Sequence, residues 1–157
     1  MKFKEITWDN LWDVMALSVN DDQKRFIPDV SVFLAQAYVN LKSGYKDSCF
    51  AIYNEGTLVG FTKIVYVPSH EETYNFSETS YMIDALIIDA KYQNNGLGKK
   101  ALKMVLDYTD SLPFGESNSV KLLCEDENTR AVQLYHSFGF NKTDVFFGGK
   151  RLLELNR

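Results

Sequence analysis

The stretch IIDAKYQNNGLGKK, residues 87–100, contains the most informative pattern in the chain. An apolar run ends here, a turn with Gly96 and Gly98 follows, and helix-like spacing begins directly afterwards. The first N–H groups of a helix have no partner within it, and the helix dipole adds about half a positive charge there. Glycines let an anion approach the backbone, and Lys99 and Lys100 add cations. The pattern predicts a phosphate or pyrophosphate site; an ordinary strand-to-helix turn is the alternative.

Two common phosphate-binding motifs fit this segment poorly. A P-loop requires Gly-x-x-x-x-Gly-Lys-Ser/Thr, whereas Gln93 holds the first glycine position and Lys100 follows Lys99. The looser dinucleotide fingerprint Gly-x-Gly-x-x-Ala fits residues 96–101, but it needs an acidic residue about 20 positions further on. The next strand-like run ends further away, at Glu125, and too few residues remain for a doubly wound sheet. Dinucleotide binding is therefore rejected.

Working outward from this segment, hydrophobic periodicity and turn residues predict a complete order of elements. Strands are expected at residues 2–7, 48–53, 57–67, 80–88, 120–124, 140–147 and 150–155, and helices from about residue 11 and at 30–41, 97–108 and 129–138. Asn54-Glu55-Gly56 and Gly148-Gly149 are typical hairpin turns. The order predicts one α/β domain over residues 1–157, with a mixed central sheet of about seven strands flanked by about four helices.

The composition narrows the class of protein further. A chain of 157 residues with 45% hydrophobic content is long enough to bury a core. The net charge of −4, without a basic stripe, argues against nucleic acid as the main partner. No apolar run is long enough for a membrane span, and the N-terminus lacks a signal-peptide core, so cytoplasmic location is the default. Cys49 and Cys124 are interpreted as buried, reduced residues, and no metal site is expected.

Two segments resemble the signatures of the GNAT N-acetyltransferases. Residues 92–98, YQNNGLG, resemble the family's acetyl-CoA loop, Gln/Arg-x-x-Gly-x-Gly/Ala. Residues 127–140, ENTRAVQLYHSFGF, resemble its second signature, Glu-Asn-x-x-Ala-x-x-Leu-Tyr-x-x-x-Gly-Phe. The resemblance extends over the whole predicted element order and is sharpest from Ser80 to Phe140. It implies a GNAT-like fold and an acyltransferase that moves the acetyl group of acetyl-CoA to an amine, without a metal.

The resemblance also implies roles for individual positions. In the family, the pantetheine arm pairs with the main chain of the strand before the loop, here Leu86, Ile87 and Ile88. The loop and the helix start would hold the pyrophosphate, which assigns cofactor binding to Gln93, Asn94, Asn95, Gly96, Leu97, Gly98 and Lys99. Asn128 matches a family asparagine that contacts the cofactor, and Tyr135 matches the tyrosine beside the departing sulfur.

Tyr135 and Asp84 are the candidate catalytic residues. A tyrosine of pKa ~10 can donate a hydrogen bond to a leaving thiolate of pKa ~8.5. The alternative is that Tyr135 belongs to an apolar helix face with Leu134 and Phe138. Asp84 interrupts an apolar strand, where a carboxylate is costly unless paired or functional, and it matches the acidic residue of diamine acetyltransferases by its distance from Gln93. It could act as a base through water, or it could be a salt-bridged strand residue.

The expected acceptor is a small-molecule amine, specifically a polyamine such as spermidine or spermine. Residues 21–39 and 147–150 resemble the polyamine-acetylating branch of the family. Glu71, Glu72 and Glu78 could add negative charge near the substrate, although solvated loop residues are the alternative. Other acceptors remain open: a protein N-terminus, a lysine or an antibiotic amine. A non-catalytic acyl-CoA-binding module is a different class, against which Tyr135 and Asp84 argue. The resemblance also suggests a homodimer.

Overall fold

Seven strands form one mixed sheet in the computed structural model, which describes residues 1–157. The strands are β1 (Lys2–Glu5), β2 (Lys46–Asn54), β3 (Thr57–Val67), β4 (Ser80–Ile88), β5 (Ser119–Cys124), β6 (Asn141–Phe147) and β7 (Lys150–Asn156). The helices are α1 (Leu11–Met15), α2 (Val30–Lys42), α3 (Leu97–Asp110) and α4 (Thr129–His136). The strand order is β1-β2-β3-β4-β5-β7-β6. The predicted fold class is confirmed, and most element boundaries agree to within about two residues, the usual uncertainty of a helix or strand end.

The core lies on both faces of the sheet because the central strands carry apolar side chains on both sides. On one face, Tyr81 and Ile83 of β4 pack against Leu102 and Val105 of α3. On the other face, α1 and α2 cover the sheet, with Val14, Val30 and Phe33 packed against Phe61, Ala85 and Ile87. β4 is almost entirely buried, as its continuous apolar sequence predicts.

The pairing of β4 with β5 stops halfway along β4. These two strands are parallel, whereas all other neighbouring strands are antiparallel. Their register runs from Ser80 opposite Ser119 to Ile83 opposite Leu122. From Asp84 onward, β4 has no neighbouring strand on that side, so its main-chain groups border a gap in the sheet.

A β-bulge lies at the point where the two strands separate. In the pairing of β3 with β4, Lys63 is opposite Ala85 and Ile64 is opposite Ile83, so Asp84 has no partner residue on β3. An extra residue of this kind re-aims side chains locally. The bulge therefore places Asp84 at the mouth of the gap.

Two helix ends agree with the sequence prediction. Asn10 is the residue before α1, and Gly44, which follows the C-cap residue Ser43 of α2, adopts a positive φ. Single-turn 3-10 helices at Asp21–Gln23 and Ala90–Tyr92 were not predicted. Cys49 and Cys124 are free thiols, the first partly and the second fully buried. None of the helices combines the length and the apolar character that crossing a bilayer requires.

Candidate active site

A cavity of about 530 Å³ occupies the gap between β4 and β5. Its volume is in the range of small-molecule and cofactor sites. It brings together most of the residues predicted to be functional: Asp84, Leu86, Ile88, Gln93, Asn94, Gly96, Gly98, Lys99, Asn128 and Tyr135. The cavity is also lined by polar groups that were not predicted as site residues, which include Gln23, Gln36, Glu125, Arg130 and Lys150; three of these lie in the segments 21–39 and 147–150 that resemble the polyamine-acetylating branch.

One end of the cavity is formed by the start of α3. Gly96, the residue before the helix, has a φ of 72°, a left-handed conformation that glycine adopts without steric cost. The N–H groups of the first helical turn have no partner within the helix, so they are available to a ligand. Gly98 and Lys99 border the cavity at this turn. The arrangement is that of an anion site at a helix N-terminus.

The turn before α3 is held in place by a network of side chains. Gln93 donates to Ile88 O and to Gln23 Oε1, each at 2.9 Å, and accepts from Asn20 Nδ2 at 3.0 Å. Asp89, which sequence reasoning did not single out, is buried and accepts from the N–H of Lys91 at 3.0 Å. Gln93 therefore fixes the shape of the loop, whatever contact it makes with a ligand.

Asp89 also ties the loop to the segment that follows α1, because its second oxygen accepts from Ser18 N at 3.1 Å. A carboxylate that accepts two backbone N–H groups is well satisfied in its buried position. The sequence did contain a signal for Asp89, because it is an acidic residue directly after an apolar strand.

Arg130 is a functional candidate that sequence reasoning missed. Its guanidinium donates to Asn94 Oδ1, which connects α4 to the turn before α3. Because Arg130 also borders the cavity, it adds a cation close to the N-terminus of α3. The signal was present in the sequence, since Arg130 lies inside the second signature, but at one of its variable positions. Asn128 caps α4 by accepting from Ala131 N at 3.3 Å.

Tyr135 lies on α4 at the cavity wall. Its ring packs edge-on against Phe140 with centroids 5.8 Å apart, which fixes the direction of the side chain. The hydroxyl group has no hydrogen-bond partner in the protein. Every fully buried side-chain oxygen does have a partner, so this hydroxyl is not fully buried, and it opens into the cavity that Tyr135 lines. Burial raises the pKa of Tyr135 well above its usual value, with a smaller effect from Cys124. Tyr135 is therefore protonated at neutral pH and able to donate.

Asp84 belongs to a buried charge network. Its Oδ2 lies 2.7 Å from Lys63 Nζ, and the same ammonium group lies 3.4 Å from Asp47 Oδ2. The Lys63 side chain is 2% exposed, against 22% for that of Asp84. Asp84 is thus salt-bridged, as one of the two sequence interpretations holds, and it also faces the cavity. The sequence also contained a signal for the partner of Asp84, which the sequence analysis did not use: Lys63 is the one charged residue in the largely apolar run of β3.

Three of the predicted cofactor-binding residues do not bring their side chains to the cavity. Ile87 and Leu97 are buried in the core, and Asn95 is exposed on the turn. Any contact of Ile87 or Leu97 with a ligand would involve the main chain. No group of three or more His, Cys, Asp or Glu side chains is placed to hold a metal ion.

The fold and the cavity define a class of protein. It is an α/β domain with a cavity where β4 and β5 separate, and this cavity has an anion site at one end and a tyrosine and an aspartate on its walls. The profile of the acetyltransferase (GNAT) family matches residues 13–140. The chain belongs to this family, and it is an acetyltransferase.

Comparison with known proteins gives relatives with related activities. Spermine/spermidine N(1)-acetyltransferase of Bacillus subtilis is 29% identical over 154 residues, which are 98% of this chain and 96% of that protein. Spermidine N-acetyltransferase from Vibrio cholerae, solved with CoA and spermine, has a TM-score of 0.69 at 15% identity, covering 99% of this chain and 94% of that one. Ribosomal-protein-alanine N-acetyltransferase from Brucella melitensis has a TM-score of 0.67 at 14% identity, with full coverage of both chains.

Proposed function

We propose that this protein transfers the acetyl group of acetyl-CoA to a primary amine, and that the amine is a polyamine. The observation that carries the proposal is the cavity between β4 and β5, which has an anion site at one end and Tyr135 and Asp84 on its walls. A pyrophosphate fits the N-terminus of α3, where Lys99 and Arg130 add cations. The unpaired edge of β4 offers main-chain groups to the amide groups of a pantetheine arm.

The residues of this chain supply the chemistry that amide formation needs. When the amine nitrogen bonds to the carbonyl carbon of the thioester, the carbon–sulfur bond breaks and the sulfur leaves as a thiolate. Tyr135 is protonated and unpaired, so it can donate a hydrogen bond or a proton to that sulfur. The amine must lose a proton in the same reaction. Asp84 has one oxygen bonded to Lys63, and its other oxygen can accept the proton through water.

The choice of a polyamine is supported by charge and by the relatives. The protein carries a net charge of −4, and Asp84 presents a carboxylate to the cavity. Two acetyltransferases with related sequence or fold are named for spermine or spermidine. A neighbour of comparable structural similarity, with a TM-score of 0.67 against 0.69, is named for a ribosomal protein, so the fold alone does not select the acceptor.

A thiol-release assay with acetyl-CoA tests the proposal across polyamines, monoamines of equal length, peptides and aminoglycosides. Spermidine or spermine should show a higher kcat/KM than the monoamines. Added salt should raise KM for the polyamine more than for a monoamine, because ions screen the extra charges. Asp84→Asn should lower both the rate and the polyamine preference. Release only with peptides or aminoglycosides would overturn the polyamine assignment but keep the acetyltransferase, and binding of acetyl-CoA without any turnover would identify a non-catalytic module.

A further inference from the structure

A second cavity of about 260 Å³ lies beside the first, on the face of the sheet that α2 covers. Gln36 and Asp84 line both cavities, so the two spaces meet at the bulge in β4. The remaining lining residues come from α2, the turn after it, β3 and the segment between β3 and β4: Asn40, Tyr45, Lys63, Val65, Val67, Glu71, Thr73 and Tyr74. The activity described above uses only the Asp84 end of this space.

Glu71 presents a fixed carboxylate to the second cavity. Its Oε1 accepts from the Tyr45 hydroxyl at 2.8 Å, and its Oε2 accepts from the N–H groups of Thr73 at 2.9 Å and Tyr74 at 3.0 Å. No lysine, arginine or histidine is paired with it. Burial acts to raise the pKa of Glu71, but the bonds from Tyr74, Tyr45 and Thr73 outweigh it and lower the pKa below its usual value. The carboxylate is therefore charged and preorganised, without a partner cation.

Tyr74 lines the second cavity together with Glu71 and Asp84. Burial, with a smaller effect from the negative charges of Asp84 and Glu71, raises its pKa to about 12, so the hydroxyl is neutral at neutral pH. The ring is held by stacking on Phe76 at 5.3 Å and by an edge contact with Phe147 at 5.5 Å. A cavity lined by an aromatic ring, a neutral hydroxyl and two carboxylates favours an organic cation.

The charge of the second cavity is negative in spite of Lys63. That ammonium group already contacts two carboxylates, Asp47 behind the cavity wall and Asp84 on it, and Glu71 adds a further carboxylate to the lining. An isolated lysine would repel a cationic ligand, whereas a lysine engaged with two carboxylates leaves an excess of negative charge.

We propose that the second cavity binds the distal ammonium group of a diamine or polyamine acceptor, with Glu71 as its counter-ion and Tyr74 as the wall beside it. The inference rests on the proposed function, because it takes the acetylated amine to lie at Asp84 in the larger cavity. A chain of methylene groups then passes the bulge from Asp84 to Glu71. The site distinguishes acceptors by the presence and the distance of a second cation, which a monoamine lacks.

The test compares n-butylamine with α,ω-diamines of three to eight carbons in the wild type, Glu71→Gln and Glu72→Gln. Glu72 is the matched control because it is the neighbouring residue, carries the same charge and is exposed outside the cavity. The favoured diamine should exceed butylamine in kcat/KM by about tenfold or more, equivalent to about 1.4 kcal/mol. Glu71→Gln should remove most of this advantage through KM, whereas Glu72→Gln should retain it. The KM for acetyl-CoA should not change in either variant, and any loss of kcat/KM with butylamine in Glu71→Gln should be smaller than the loss with the diamine.

Two outcomes would overturn the subsite. One is an unchanged diamine preference in Glu71→Gln. The other is an equal loss of kcat/KM for butylamine and for diamines, which would show that Glu71 only holds the loop in place. Thermal unfolding with the favoured diamine alone separates this inference from the proposed function. A diamine-dependent rise in Tm that Glu71→Gln abolishes would support the site even if no amine released thiol. Thiol release from amines without such a rise, and without a diamine preference, would leave the acetyltransferase and remove the subsite.

Discussion

Replacing Lys63 with methionine would test how much stability the buried charge network contributes. Methionine keeps most of the length of the side chain, so the main change is the loss of the ammonium group that lies between Asp47 and Asp84. The Asp47 side chain is only 4% exposed, and its carboxylate would be left with Asn40 as its main partner. Removing one member of a buried ion pair costs about 3–5 kcal/mol. For a domain of this size, such a loss lowers Tm by roughly 6–20 °C.

The effect of Lys63→Met should depend on pH with a definite sign. Burial raises the pKa of Asp47, and the bonds with Asn40 and Lys63 partly oppose it. Without Lys63, this pKa moves further upward. A carboxyl group whose pKa is higher in the folded state than in the unfolded state takes up a proton on folding, so its contribution to stability falls as pH rises through the folded pKa. The variant should therefore lose more stability, relative to the wild type, at pH 8 than at pH 5.

Urea denaturation at both pH values measures the two free energies of unfolding. Lys103→Met is the matched control, because Lys103 forms an exposed ion pair with Asp107 one helical turn away, and such a pair contributes about 0.3–0.5 kcal/mol. The double variant Asp47→Asn/Lys63→Met should be more stable than Lys63→Met alone, since it no longer buries an unpaired carboxylate at that position. A loss at pH 8 no larger than that of the control, or a loss independent of pH, would refute the reasoning.

Three further predictions concern single positions. Tyr135→Phe should lower turnover by roughly 10- to 10⁴-fold. The Tm and the affinity for acetyl-CoA should change little, because the hydroxyl has no protein partner. Steady-state kinetics and a melting curve test this prediction, and unchanged turnover would assign Tyr135 to the core. Acetyl-CoA should stabilise the wild type by about 2.7 kcal/mol at a hundredfold excess over Kd, measured as a rise in Tm. Gly98→Glu should abolish this rise, whereas Gly98→Ala, whose Cβ would lie 3.7 Å from Leu134, should retain it. Normal binding of coenzyme A to Gly98→Glu would place the site elsewhere. Gly60→Ala should destabilise the protein by roughly 1–3 kcal/mol or more, since the Cβ of the alanine would lie 2.2 Å from Ile87 O. Urea denaturation measures this loss, and a variant as stable as the wild type would contradict the close pairing of β3 with β4.

The sequence predicted the elements well where local physics decides them. Gly96 before a helix, the hairpin turn at residues 54–56 and the continuous apolar run of β4 are local signals, and each was found in the structure as expected. Local signals also predicted correctly that Asp84 lies on β4 and that Tyr135 lies on α4. Their roles in the reaction, and the cofactor contacts of the loop residues, stay predictions.

Contacts between distant segments could not be read from the sequence. Lys63 and Asp84 are 21 positions apart, and Arg130 and Asn94 are 36 apart. Their contacts depend on the register of β3 with β4 and on the placement of α4, which no local pattern specifies. Glu71 is a similar case, because its charge could be noted in the sequence but its cavity and its bond with Tyr45 required the fold.

The bulge at Asp84 separates the function of this position from the packing of the core. Tyr81 and Ile83 lie on the α3 side of the sheet, whereas beyond the bulge Ala85 and Ile87 lie on the α2 side. Lys63 is opposite Ala85 and Ile64 is opposite Ile83, so deleting residue 84 would restore strict alternation and leave each remaining side chain of β4 on its present face. Divergence of acceptor preference at this position, by substitution or by loss of the residue, is therefore compatible with the fold. A mutational scan of folding that includes single-residue deletions would show position 84 as permissive in both columns.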